Sequence, residues 1–214
     1  MGGMVMKITV IGSTGRTGMH VLEQGVRRGH ELTAFTRRPH LLENFNGLKN
    51  VVTGDGLHLS DVKKAIDKQD AIIAIVGDRS TPIATDITGI IIQAMYELDV
   101  QRIVCVSSYL LGSTRPRVIT PLFQWLLRHS LADRLSADQL IQSSKTEWTI
   151  VRATRLLDKP ATGNVRRQKA GYEFEFGPYE ICRADLAAVL LDIVESRDDS
   201  KSIINVTWGK SKNE

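Results

Sequence analysis

The chain has 214 residues, which is enough for one sizeable α/β domain and too few for two. Hydrophobic residues make up 42% and charged residues 24%, as in an ordinary soluble globular protein, and no run approaches the ~18–20 apolar residues of a membrane span. The net charge of +4 comes without a dominant basic tract, so a nucleic acid is not an expected partner. Because no apolar span is present, a membrane is not an expected partner either. The two cysteines have no disulfide or metal spacing, which favours a reducing cytoplasm and no bound metal.

Short apolar runs alternate with segments of helical periodicity along the chain. The predicted strands are residues 5–11, 31–36, 48–53, 71–76, 102–106, 149–151 and 202–206. The predicted helices are residues 17–28, 60–67 with Ser60 as the cap, 85–98 and 183–196, and residues 110–121 are predicted to form a loop near the site. This alternation predicts a doubly wound parallel sheet with helices on both faces. We expect a single domain of residues 1–214, with an ordered core of about residues 4–207 and a polar tail of residues 208–214.

Three glycines, Gly12, Gly15 and Gly18, follow the first predicted strand. In a dinucleotide-binding turn, one glycine makes the bend, one lets backbone N–H groups approach a pyrophosphate, and one lets the helix pack on the sheet. The phosphates then lie at the positive end of the helix dipole. A tight turn without a ligand is the alternative. The other residues of this phosphate-binding turn, or cradle, that are predicted to contact the cofactor are Ser13, Thr14, Arg16 and Thr17.

The end of the second strand indicates which dinucleotide is bound. An NAD site usually places an Asp or Glu there for the ribose 2′-hydroxyl, whereas an NADP site has an Arg for the 2′-phosphate. This chain has Arg37 and Arg38 followed by Pro39 and no acid, and Arg16 is a third candidate cation. We therefore predict NADP(H) in preference to NAD(H), the alternative being a solvated basic loop.

Polar or glycine residues also follow the other strands, where ligands bind in such sheets. Asp55 is expected either to reach the adenine amino group or only to shape its turn. Ser107 and Ser108 end the fifth strand beside the expected nicotinamide position, and Tyr109 is expected to stack on a planar acceptor or to lie half-buried at the rim. These three are the candidate catalytic residues, with a purely structural role for the serines as the alternative. The remaining predicted cofactor contacts are Gly56, Leu57, Val76, Gly77, Arg152, Ala153 and Thr154.

These residues together resemble the atypical short-chain dehydrogenase/reductase family of the NmrA-like and flavin (biliverdin B) reductase-like type. The resemblance rests on residues 11–18 (IGSTGRTG), 36–39 (TRRP), 54–55 (GD), 104–108 (VCVSS), 148–152 (WTIVR) and 181–187 (ICRADLA). It implies a single NAD(P)-binding Rossmann domain, in many members an NADPH-dependent reductase and in some a redox sensor without turnover. Many relatives also have Arg-Pro where this chain has Arg152-Ala153.

A second departure concerns the general acid, because the usual Tyr-x-x-x-Lys motif is absent. The residues four positions after Tyr96, Tyr109, Tyr172 and Tyr179 are Val100, Ser113, Phe176 and Arg183. Hydride transfer to a flavin or quinone needs no dedicated protein acid, because solvent or the acceptor can manage the proton. The expected function is therefore NADPH-dependent reduction of such a planar acceptor, with Ser108 matching the serine of these reductases.

The alternative is a catalytically idle NADP(H) sensor that binds a protein partner. Arg155 is expected to bind an acidic substrate or to be exposed, while Arg183 and Asp185 are expected to be structural at the start of the last helix. The oligomeric state stays open between monomer and homodimer. The leucines that leave it open, because they fit either a core or an interface, are Leu126, Leu127, Leu131 and Leu135.

Overall fold

The computed structural model describes residues 4–77, 82–115, 117, 119–175 and 177–209. The predicted tail therefore lies outside the described residues from position 210 onward. The strands are β1 (Lys7–Ile11), β2 (Glu31–Thr36), β3 (Asn50–Thr53), β4 (Ala71–Ala74), β5 (Arg102–Ser108), β6 (Glu147–Ala153), β7 (Arg155–Leu157), β8 (Val165–Lys169), β9 (Glu180–Cys182) and β10 (Ser202–Trp208). The helices are α1 (Arg16–Arg27), α2 (Leu59–Ile66), α3 (Ala84–Leu98), α4 (Ile119–Leu126), α5 (Arg128–Ser143) and α6 (Arg183–Ser196), with 3-10 turns at Pro39–Leu42 and Tyr109–Leu111.

The main sheet has the strand order β3-β2-β1-β4-β5-β6-β10-β8. Every neighbouring pair is parallel except β10 and β8, which run antiparallel. A separate parallel pair joins β7 to β9. The chain reverses its direction of winding between β1 and β4, so a crevice opens at the carboxyl ends of these two strands. The predicted doubly wound α/β domain is confirmed.

Apolar side chains on both faces of the strands hold the sheet between two helical layers. In β4, Ala71 and Ile73 pack with residues of α1 and α6, whereas Ile72 and Ala74 pack with residues of α2, α3 and α5. Consecutive side chains of a strand point to opposite faces, so a strand covered on both sides must be apolar throughout. The buried strands therefore carry continuous apolar runs.

Several elements differ from the expectation. Ser60 lies inside α2, whose N-cap is His58, so the expected serine cap is wrong. The predicted loop at 110–121 contains the 3-10 turn and the start of α4, and neither α4 nor α5 was predicted. Of the undecided leucines, Leu131 is buried, whereas Leu126 and Leu135 are exposed. No helix in the described ranges is long and apolar enough to cross a membrane.

Candidate active site

The turn after β1 packs so closely against its neighbours that Gly12 and Gly18 have no room for a side chain. A Cβ on Gly12, whose φ is +81°, would lie 2.4 Å from the Ile75 carbonyl oxygen. A Cβ on Gly18 would lie 2.3 Å from the Gly12 carbonyl oxygen, and Gly15 is the N-cap of α1. The backbone of this turn therefore fits a dinucleotide pyrophosphate at the start of α1, where N–H groups lack helical partners. The predicted turn is confirmed, and its ligand stays a prediction.

Two hydroxyl groups tie the glycine turn to the end of β2. The Ser13 hydroxyl donates to the Phe35 carbonyl oxygen at 2.9 Å, and the Thr14 and Thr36 hydroxyls lie 2.9 Å apart. The Thr36 hydroxyl also accepts from the Arg38 backbone N–H at 2.9 Å. These contacts fix the cradle beside the basic residues that follow β2.

The candidate cations differ in their partners. Arg37 and Arg38 are exposed, and no carboxylate in the described part of the chain pairs with either guanidinium. Arg16 instead forms an ion pair with Asp158 at 2.6 Å, with side chains that are 72% and 53% exposed. Asp158 also accepts from the buried Arg183 at 2.7 Å. The end of β2 therefore carries two cations that have no counter-ion among the described residues, whereas Arg16 pairs with a carboxylate in the loop after β7.

Asp55 shapes the turn after β3. Its Oδ1 accepts from the Leu57 backbone N–H at 3.1 Å, and its own N–H donates to Asp61 at 3.2 Å. Gly56 is buried, and a Cβ there would contact Ile87 at 3.1 Å. This geometry matches the turn-shaping role. The contact between Asp55 and adenine stays a prediction.

An arginine that the sequence analysis did not select lies at the end of β4. The guanidinium of Arg134 lies so close to Gly77 that a Cβ on this glycine would meet Nη2 at 2.3 Å. Nη1 donates to the Val76 carbonyl oxygen at 3.4 Å. Arg134 belongs to α5, which was not predicted, and without that helix the sequence could not place Arg134 at the site. A cation thus joins the predicted site residues Val76 and Gly77.

Ser107 and Ser108 close the site at the end of β5. The Ser108 hydroxyl accepts from the Leu110 backbone N–H at 3.3 Å, which leaves its own proton available to donate. Ser108 pairs in register with Ala153 of β6. The Ser107 hydroxyl is buried beside the Asp138 carboxylate and lowers the pKa of that carboxyl by hydrogen bonding. Both serines therefore lie at the predicted edge of the sheet, and the Ser108 hydroxyl is the one that keeps a proton to donate.

A buried ion pair lies next to Ser107, which pairs in register with Arg152 of β6. The Arg152 guanidinium donates to Asp138 through Nη2 at 2.9 Å and Nε at 3.2 Å. The two side chains are only 10% and 4% exposed. Burial raises the pKa of Asp138, although the Ser107 hydroxyl and the Arg152 and Arg134 guanidinium groups act in the opposite direction. The Arg152 side chain is therefore held in a buried ion pair with Asp138. The predicted contact between Arg152 and the cofactor stays a prediction.

Two predicted site residues have different surroundings from those expected. Tyr109 is only 3% exposed, its ring packs against Phe174 and Tyr179, and its hydroxyl accepts from the Phe174 backbone N–H. Neither stacking on an acceptor nor a half-buried rim position agrees with this aromatic packing. Thr154 is buried, its N–H donates to the Val206 carbonyl, and its hydroxyl donates to Thr207. Interactions within the sheet therefore use the N–H and the hydroxyl of Thr154, and its predicted contact with the cofactor stays a prediction.

The start of α6 is structural, as expected. The Asp185 carboxylate accepts from the backbone N–H groups of Thr162 and Gly163 and from the Thr162 hydroxyl. Arg155, for which an acidic substrate was the alternative, is exposed. Asp185 therefore holds the loop after β7 against the helix that borders the site.

Comparisons with known proteins agree with this geometry. A chloroplastic protein of Arabidopsis thaliana is 27% identical, covering 94% of this chain and 76% of that protein. Among solved structures, a short-chain dehydrogenase/reductase of Veillonella parvula in complex with NADP is 16% identical, covers 98% of this chain and 96% of its own, and has a TM-score of 0.80. ChuY, an anaerobillin reductase of Escherichia coli O157:H7, is 20% identical, covers 97% and 100%, and has a TM-score of 0.77.

The fold is the Rossmann fold, which the chain shares with a Rossmann-fold NAD(P)-binding family protein of Shigella flexneri (20% identical, covering 99% of this chain and 98% of that chain, TM-score 0.78). The expected cytoplasmic location stays a prediction, since the Arabidopsis relative is chloroplastic. A family model described as NAD(P)H-binding matches residues 12–197, from the first glycine of the turn to the end of α6. Since this match spans most of the chain, the protein belongs to the NAD(P)H-binding family.

Proposed function

We propose that the protein is an NADPH-dependent reductase that transfers a hydride to a planar acceptor such as a flavin or quinone. The observation that carries the cofactor choice is the pair of exposed arginines, Arg37 and Arg38, without a carboxylate partner in the described chain. A 2′-phosphate supplies the missing counter-charge, and a guanidinium binds it through two parallel hydrogen bonds. A carboxylate at this point, as in NAD sites, would repel that phosphate.

The glycine turn supports the pyrophosphate end of the same cofactor. Its backbone approaches β4 so closely at Gly12 that only a glycine fits, and the N–H groups that open α1 are oriented for an anion. The bound nicotinamide supplies the hydride. The protein positions the ring near the end of β5, where the Ser108 hydroxyl retains a proton to donate to a carboxamide or an acceptor carbonyl.

The kind of acceptor follows from the acid that the site lacks. Tyr109 is the tyrosine at the end of β5, and its hydroxyl accepts from Phe174 inside an aromatic cluster. A carbonyl substrate that needs a tyrosine acid is therefore disfavoured, whereas flavins and quinones exchange their protons with solvent. The reductase activity of the structural neighbour ChuY supports the same class of reaction.

The cofactor choice is tested by titrating NADPH and NADH against the wild type and single Arg37→Ser and Arg38→Ser variants. We expect the wild type to bind NADPH more tightly than NADH. Each variant should lose about tenfold in NADPH affinity and keep its NADH affinity, because only the charge-assisted contact to the 2′-phosphate is removed. Arg27→Ser, at another exposed arginine on α1, is the matched control. Equal affinity of the wild type for both cofactors would refute the proposal.

A catalytically idle NADP(H) sensor is the second candidate, and the burial of Tyr109 in an aromatic cluster favours it. Oxidation of NADPH measured across flavin, quinone and dye acceptors distinguishes the two. A reductase oxidises NADPH with at least one acceptor, and Ser108→Ala lowers kcat while NADPH still binds. Tight NADPH binding without turnover on any acceptor would identify the sensor.

A further inference from the structure

Helix α4 has its polar and apolar sides reversed. Thr120 is 1% exposed, and the Gln124 side chain faces inward, where it donates to the carbonyl oxygens of Leu110 and Ser113 at 2.9 and 3.1 Å. Thr120 and Gln124 are four residues apart and so lie on one side of the helix. The large apolar residues therefore face outward.

We call these outward side chains the apolar face of α4: Leu122, Phe123, Trp125 and Leu126, with exposed fractions of 61%, 44%, 64% and 63%. A soluble helix normally buries such a stripe, and a contiguous exposed patch marks a surface that binds something.

The charged residues of α4 and of the segments that flank it in sequence are basic. Residues 115–132 contain three arginines and one histidine but no Asp or Glu. Arg128 lies over the Trp125 ring at 5.5 Å, and within the described ranges neither Arg117 nor Arg128 pairs with a carboxylate. Arg115 lies 3.7 Å from Glu173, which partly neutralises it. An apolar aromatic face bordered by arginines is complementary to an anionic lipid surface.

The area of the face favours lipid over a second copy of the chain. With about 200 Å² for a fully exposed large side chain, the four residues expose about 450 Å². A stable dimer buries about 800 Å² on each partner. A helix that lies in the interface of a bilayer needs no such area, because its apolar side chains enter the acyl boundary while its cations contact the headgroups.

We propose that α4 docks the protein on anionic membrane surfaces. The expectation of no membrane partner rested on the absence of an apolar span, which an interfacial helix does not need. Gln124 ties α4 to the segment that follows β5, so docking brings the candidate acceptor site to the lipid. If the proposed function holds, an acceptor dissolved in the membrane reaches the site there. The docking itself does not depend on that function.

Vesicle flotation with the full chain tests the proposal. We expect binding to vesicles of phosphatidylcholine mixed with phosphatidylglycerol, weaker binding at high salt, and at least about tenfold weaker binding of a Leu122→Gln/Leu126→Gln variant. Met4→Gln/Val5→Gln is the matched control, because those side chains are 76% and 60% exposed at the opposite end of the sequence, and it should bind like the wild type.

Circular dichroism and NADPH titration establish that each variant is folded, and a failure of NADPH binding in the wild type would count against the proposed function only. The docking proposal is overturned by three results: no flotation with anionic vesicles, equal flotation with phosphatidylcholine alone, or full binding by the Leu122→Gln/Leu126→Gln variant. It is also overturned if the wild type is a dimer that this variant dissociates, because the face would then bind a second copy.

Discussion

Replacing Arg152 by Met should destabilise the protein strongly at neutral pH and weakly in acid. The substitution keeps most of the side-chain volume but leaves Asp138, whose side chain is 4% exposed, without the guanidinium that donates two hydrogen bonds to its Oδ2. Asp138 must then remain charged without a partner or take up a proton. Taking up a proton near pH 7, starting from the ordinary pKa of 3.8, costs about 4 kcal/mol at ~1.4 kcal/mol per unit of pH. We expect a loss of about 3–4 kcal/mol, within the range for broken buried pairs.

The sign of the pH dependence follows from the same linkage. Burial already raises the pKa of Asp138 in the folded protein, and removing Arg152 takes away a group that lowers it, so the pKa rises further. A carboxyl whose pKa is raised in the folded state costs stability as the pH rises from its unfolded pKa through its folded pKa. The difference in unfolding free energy between wild type and Arg152→Met should therefore grow from acid toward neutral pH.

Urea unfolding of the wild type, Arg152→Met and Arg152→Met/Asp138→Leu near pH 5 and pH 7 measures these quantities. The double variant should recover most of the loss and show little added pH dependence, because no buried charge remains. Arg155→Met, at an exposed position, is the matched control and should stay within about 0.5 kcal/mol of wild type. A change below about 1 kcal/mol in Arg152→Met near pH 7, or a pH-independent difference, would refute the reasoning.

Two further predictions concern the glycine turn and the thiols. Gly12→Ala forces a Cβ to 2.4 Å from the Ile75 carbonyl oxygen at a φ of +81°, so we expect more than about 2 kcal/mol of lost stability and loss of NADPH binding. Gly89→Ala, in α3 with no atom within 4 Å of the new Cβ, should instead stabilise the protein by about 0.5–1 kcal/mol in the same urea titration. Burial raises the pKa of both Cys105 and Cys182, so iodoacetamide should alkylate neither thiol in the folded protein and both thiols in denaturant. Rapid labelling of the native protein, measured by mass spectrometry, would contradict this expectation.

The parts of the fold that were predicted correctly are those whose geometry depends on residues close together in the sequence. A turn like that at Gly12 admits only glycine, and continuous apolar runs such as residues 71–74 identify strands buried on both faces. Helix α4 escaped prediction because its buried side is polar and its exposed side is apolar, the reverse of the pattern that predicts a surface helix. Strands β7 and β9 have three residues each, too short for any periodicity, and exist because they pair with each other.

The same distinction between local sequence and tertiary packing separates the site residues that were predicted correctly from those that were not. The residues that would hold the phosphates follow the strands directly, so strand ends and residue types were enough to select Arg37 and Arg38. The role of Arg152 depends on Asp138, 14 residues earlier in an unpredicted helix, and the burial of Tyr109 depends on Phe174, 65 residues later. Such contacts arise from tertiary packing, which a single sequence does not display.

The partners of the arginines decide which of them can serve an anionic cofactor. Arg152 is bound to the buried Asp138 carboxylate. Moving Arg152 to a cofactor phosphate would leave Asp138 without this ion-pair partner in a low-dielectric environment. Arg16 also has a carboxylate partner, but both side chains of that pair are more than half exposed, and such pairs contribute only about 0–1 kcal/mol. Exchanging Asp158 for a cofactor phosphate therefore costs Arg16 little. Of the arginines near the glycine turn, Arg37 and Arg38 are thus available directly and Arg16 by exchange. All three lie in the first half of the doubly wound sheet, where the glycine turn would hold the pyrophosphate end of the proposed dinucleotide.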